Sequence, residues 1–149
     1  PDDPNMVRAL GEVLTWSGQG ERAIAIFGGL IDKGDDSDRA IKGFLDAFMA
    51  IENPGASDIY RVQWIYKRHT HMRKLSSDVA GALASAMVRS GDADVGIELL
   101  KDVLADDPSN RDLRLKLADS LVMAGRASEA HPHYRALLSD EQNKPSGSK

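Results

Sequence analysis

Glycines Gly18, Gly91 and Gly125 fall in one column when Pro4–Ser37, Ser77–Asn110 and Arg111–Lys144 are aligned as segments of 34 residues. A chain that repeats one unit at such a period folds as a stack of like units, each burying a face on its neighbour. Every one of these glycines closes a stretch of helical apolar spacing and precedes another, as a helix end needing a left-handed residue requires. Eight positions before the glycines stand Leu10, Leu83 and Leu117, followed directly by Gly11, Ala84 and Ala118. Leu14, Met87 and Leu121 lie four residues past the leucines. After the turn come a small column, Ala23, Gly96 and Ala130, and a large one, Phe27, Leu100 and Tyr134. Small residues on both helices let backbones approach while large ones fill the space between pairs. The pattern predicts an all-α chain of about four antiparallel helix pairs.

The second unit, 38–76, departs from the period. Arg39–Ile51 gives one helical face of Ile41, Phe44, Leu45 and Phe48, stopped by Asn53-Pro54-Gly55. A second helix is expected from near Ala56, capped by Ser57 or Asp58 and running to about Lys74, with an insertion of roughly one turn that lengthens the helix or adds a short extra turn. Ile59, Val62, Tyr66 and His69 form its predicted core stripe. In the last unit Ser128 is the expected cap, with Pro132 at the end of the first turn, where a proline costs little. The repeat domain is read as 1–142, with units 4–37, 38–76, 77–110 and 111–142. The tail 143–149 lacks apolar residues and is expected to be disordered.

These columns resemble the tetratricopeptide repeat, and Asp106-Asp107-Pro108-Ser109-Asn110 looks like that family's inter-repeat turn. The resemblance implies a superhelix whose first helices line a concave surface that binds another protein or peptide without catalysis. It would point Asn5, Arg8, Glu12 and Trp16 into the groove, then Arg39, Lys42, Asp46 and Met49. Asp78, Gly81, Ser85 and Arg89 would follow, and then Asp112, Leu115, Asp119 and Met123. Glu12 stands where members that clamp a terminal carboxylate carry asparagine, and its charge would repel such a ligand. Pro1–Asn5 reads like another inter-repeat turn, so the chain is expected to be part of a longer protein. Apolar edges at both ends would then let two copies pair end to end.

Ile59–Ser77 holds Arg61, Lys67, Arg68, Arg73 and Lys74 and no acid, whereas the whole chain has 19 basic residues against 23 acidic ones. Tyr60 and Trp64 continue toward Lys67 and Arg68, so one face alternates rings with positive charge and suits an acidic peptide or an anionic polymer, polysaccharide or nucleic acid. The opposing reading is a solvated face beside a packing contact. The net charge of −4 speaks against general nucleic-acid binding. Leu10–Gly18, with Trp16 two residues before the turn glycine, resembles repeats in periplasmic scaffolds of bacterial exopolysaccharide synthesis and export. That resemblance alone inclines the expected compartment toward the periplasm.

Chemistry has little foothold. Gly18-Gln19-Gly20-Glu21-Arg22-Ala23 matches a dinucleotide fingerprint, but it follows a helical pattern where the fingerprint requires a strand. His69/His71 and His131/His133 are pairs two apart, which point about 200° apart on a helix and cannot share a metal. With no cysteine there is neither a disulfide nor a thiolate metal site, and no cofactor or catalytic group is expected. No apolar run nears the ~20 residues needed to span a bilayer.

Overall fold

The computed structural model describes residues 3–72 and 75–142. They form eight helices in sequence: α1 (Pro4–Trp16), α2 (Gly20–Asp32), α3 (Asp38–Ala50), α4 (Ala56–Met72), α5 (Ser77–Arg89), α6 (Ala93–Asp106), α7 (Arg111–Met123) and α8 (Ala127–Gln142). Short polar side chains begin the first helix of every pair. Asp3 accepts a hydrogen bond from the Asn5 N–H (3.0 Å), Ser37 from Ala40 (3.2 Å), Ser76 from Val79 (3.4 Å) and Asn110 from Leu113 (3.1 Å).

The turn column behaves as its spacing predicts. Gly18, Gly91 and Gly125 have φ of 78°, 101° and 77°, and the next residue's N–H bonds back to Leu14, Met87 and Leu121 respectively. That bond satisfies a carbonyl the helix end would otherwise leave open. Gly34, outside the predicted column, does the same between α2 and α3, with φ 94° and Asp35 N–H bonded to the Leu30 carbonyl.

α1, α3, α5 and α7 pack side by side as one layer, and the second helix of each pair lies on the other side, giving an all-α tetratricopeptide-like superhelix. Close approach is concentrated where the small columns meet large ones. A Cβ on Gly11 would sit 2.6 Å from the Phe27 ring and one on Gly43 only 2.3 Å from it, so the fully buried Phe27 occupies a slot between α1 and α3. A Cβ on Gly96 would come within 2.5 Å of the Ala84 carbonyl oxygen, where α6 crosses α5.

Several boundaries differ from expectation. α3 runs one residue earlier than predicted. α4 has 17 residues against 13 in α2, so the expected insertion lengthens the helix. Its cap is neither Ser57 nor Asp58; Asp58 instead reaches back to accept the Gly55 N–H (3.2 Å), the second half of a capping box. α8 begins at Ala127, ahead of Ser128, so Pro132 is the sixth residue of the helix, two positions further in than expected. Leu10 is exposed, unlike Leu83 and Leu117 in its column, because no described helix lies on that side of α1. Val62, Ile65 and His69 form the buried stripe of α4, with Ile59 and Tyr66 partly buried. The tail 143–149 lies outside the described residues.

Gly96→Ala should lower unfolding stability by about 1–3 kcal/mol, since the carbonyl it meets belongs to a helix backbone that cannot yield locally. Gly29→Ala, whose Cβ would meet nothing within 4 Å, should raise it by about 0.5–1 kcal/mol. Urea unfolding followed by circular dichroism measures both.

Candidate functional site

Three first helices turn one face toward a common trough of about 560 Å³. α3 supplies Lys42, Asp46 and Met49; α5 supplies Ser77, Asp78, Gly81, Ala82 and Ser85; α7 supplies Asp112, Leu113, Lys116, Asp119, Ser120 and Met123. Positions three and four apart share a helix face, so each helix adds a ridge of alternating charge and small or flexible side chains. Lys42 bonds Asp46 (2.8 Å) and Lys116 bonds Asp112 (2.5 Å) within their own helices. The Tyr134 hydroxyl donates to Asp119 (2.5 Å). Gly81 lacks the Cβ that would meet the Leu113 side chain at 2.8 Å, which keeps α5 and α7 close.

Other residues expected in the groove serve the framework. Arg8 turns to the α2–α3 connection, where its Nε meets Asp35 at 2.8 Å, and it also donates to Asn5 (2.7 Å). Arg39 of α3 grips Glu12 of α1 with two bonds of 2.6 and 2.8 Å, a bidentate pair that ties neighbouring first helices. Those bonds hold the Glu12 carboxyl below its ordinary range. Trp16 is 81 % exposed at the end of α1, outside the trough. Arg89 donates to the carbonyls of Phe48, Ile51 and Glu52 and lies 5.6 Å from the Phe48 ring centroid, closing the C-terminal end of α3. Leu115 faces a hollow with Tyr134, Leu137 and Leu138 at the α7–α8 end. Ser77, Ala82, Leu113, Lys116 and Ser120 line the trough though the expected groove positions omitted them; each lies one residue from an expected position, Asp78, Gly81, Asp112, Leu115 and Asp119 in turn.

The basic face of α4 is partly neutralised by the chain itself. Arg61 lies across Gly28, where a Cβ would meet its guanidinium at 3.3 Å, and bonds Asp32 through Nε (3.2 Å) and Nη2 (2.8 Å), with Asp58 at 3.3 Å. The hydrogen bonds from Arg61 hold the Asp32 carboxyl below its usual range. Arg68 approaches Asp36 (3.6 Å) and covers the Trp64 ring at 5.3 Å from its centroid. Lys67 and Tyr60 are exposed, while Trp64 is only 36 % exposed. Ile31, Ser57, Tyr60, Arg61, Trp64 and Asp32 surround a shallow hollow of about 430 Å³. Arg73 and Lys74 lie outside the described residues.

The two ends of the stack carry bare apolar side chains, Met6, Leu10 and Val13 on α1 and Leu115, Val122 and Leu138 on the last pair. Among the described residues no group of three or more His, Asp or Glu stands close enough to hold a metal, and no helix is long and apolar enough to cross a membrane. His69 is buried with its ring edge-on to Trp64 at 6.5 Å between centroids, and His133 meets Arg114 at 3.3 Å.

A family model described as tetratricopeptide repeat matches residues 76–147. A solved structure of a MamA mutant, MamA being a tetratricopeptide-repeat protein, superposes with TM-score 0.61 at 17 % identity, covering 93 % of this chain and 77 % of that one. A second, MamA AMB-1, gives TM-score 0.60 at 15 % identity, covering 97 % and 76 %. These likenesses are of fold. The search of curated proteins returns no match.

Arg8→Ala should lower stability at neutral pH. Burial pushes the Asp35 carboxyl up, but hydrogen bonds from Arg8, the Ser37 hydroxyl and the Ser37 N–H, with the Arg8 charge, outweigh it and leave the group below its usual range. A depressed carboxyl contributes stability above its unfolded-state value and loses it as pH falls through the folded one. The melting-temperature gap between wild type and variant should therefore narrow as pH falls below about 4; a gap that widens there would reverse the assignment.

Proposed function

We propose that the chain, whose residues 76–147 match the tetratricopeptide-repeat family model, is a scaffold that holds a protein or peptide along its concave trough. The carrying observation is the continuity of the trough across α3, α5 and α7. Four carboxylates against two lysines line it, which favours a neutral to basic segment, and Met49 and Met123 supply adaptable apolar contact. The task is positioning, which asks for shape and charge and no reacting group.

One observation favours a second reading. Two aromatic rings beside the Arg61–Asp32 pair surround the hollow between α2 and α4, an arrangement suited to stacking on a sugar while hydrogen-bonding its hydroxyls. This supports contact with an anionic polysaccharide through Tyr60, Trp64, Lys67 and Arg68, and with it a periplasmic place in exopolysaccharide export, for which the exposed Trp16 is a further support. Pairing of two copies end to end is supported by the bare apolar edges.

Isothermal titration of a peptide selected by display against the domain separates the readings. Ser85→Arg fills the trough and should weaken binding at least about tenfold, about 1.4 kcal/mol. Lys67→Glu with Arg68→Glu spares the Arg61 clasp and should change it less than about twofold. The reverse order would move the binding surface to α4.

A further inference from the structure

The two lysines of the trough are committed along their own helices, Lys42 to Asp46 and Lys116 to Asp112. Among the described residues no lysine or arginine pairs with Asp119, whose Oδ1 accepts the Tyr134 hydroxyl and whose Oδ2 stays open. Beside it Ser120 lines the trough at only 4 % exposure, and Ser85 of α5 lines it half-buried.

The hydroxyls of Thr15, Ser17 and Ser90 close on carbonyls three or four residues back in their own chain, the usual outlet for such groups on a helix. Those of Ser85 and Ser120 do not, and among the described residues they meet no other partner. Ser120 stands in the column that Ala47 and Ala86 fill in α3 and α5, both fully buried, so packing there asks only for a methyl group. A hydroxyl in its place gives up water without gaining a bond, which costs stability. The two serines face one another. A Cβ on Gly81 would lie 3.5 Å from the Lys116 stem, so α5 and α7 touch at that level, and Ser85 and Ser120 stand four residues further along the same faces, one turn up the same seam.

We infer that this seam anchors a lysine of the segment held in the trough, the ammonium donating to Asp119 Oδ2 and to the hydroxyl oxygens of Ser85 and Ser120; the inference rests on the trough reading above. An ammonium has three donors and no acceptor, which matches three open acceptors. Arginine fits less well, because its planar fork pairs best with both oxygens of a carboxylate and Tyr134 holds one of them. Met123, one turn beyond Ser120 and exposed, supplies a flexible apolar cover for the lysine stem.

Fluorescence anisotropy of a fluorescein-labelled peptide selected by display against the domain tests this, with each lysine replaced in turn by norleucine, which keeps the stem without the charge, and by arginine. At one position norleucine should weaken binding at least about tenfold and arginine at least about threefold. On the Asp119→Asn/Ser120→Ala protein the three versions should bind within about twofold of one another. That variant keeps the fold, since alanine already fills the column in α3 and α5 and asparagine keeps an acceptor for Tyr134; circular dichroism checks it. A selected peptide that lacks lysine or is indifferent to each of its lysines overturns the anchor, and so does a norleucine penalty that persists on the variant protein. Undiminished binding to the Ser85→Arg protein would instead contradict the trough reading itself, and the anchor with it.

Discussion

The stack rests on backbones approaching closer than ordinary side chains allow. Phe27 enters a slot that exists only because Gly11 and Gly43 have no Cβ, and Gly96 admits the Ala84 carbonyl where α6 crosses α5. From those contacts follow the tight pairing of helices and a core continuous through Phe27, Phe44 and Phe48. The even spacing of α3, α5 and α7, which makes their faces one trough, follows as well. A methyl group in any of these places would push one helix outward and pass the displacement along the array, since each unit touches only its neighbours.

Charge is used twice in this molecule. Some arginines act as internal clasps: Arg39 joins α3 to α1, Arg61 joins α4 to α2, and Arg89 closes the end of α3. Guanidinium suits this because its planar fork meets carboxylates in pairs and stacks on rings. Lysines and aspartates are left on the concave face, where exposed intrahelical pairs such as Lys42–Asp46 contribute little to stability and separate readily for a ligand.

The helical pairs were legible because their signals are local and repeated. Gly18, Gly91 and Gly125 mark turns wherever they recur, and nine of the trough residues from Lys42 to Met123 followed from the resemblance to the tetratricopeptide repeat, whereas Ser77, Ala82, Leu113, Lys116 and Ser120 did not. Arg8, Glu12 and Arg89 were legible as polar positions on first helices, but not as framework, because their partners Asp35, Arg39 and the α3 carbonyls lie 27 to 41 residues away. Long-range pairing also dims the basic helix: the composition of 59–77 contains no acid, yet Asp32 and Asp36 reach it from the preceding pair.

The most direct measurement is amide chemical-shift mapping of the isotopically labelled domain as a display-selected peptide is added. A concave binding surface predicts shifts confined to the facing positions of α3, α5 and α7, among them Asp46, Gly81, Ser85 and Ser120, with α4 unmoved. Shifts centred on Tyr60 and Trp64, with a silent trough, would contradict it.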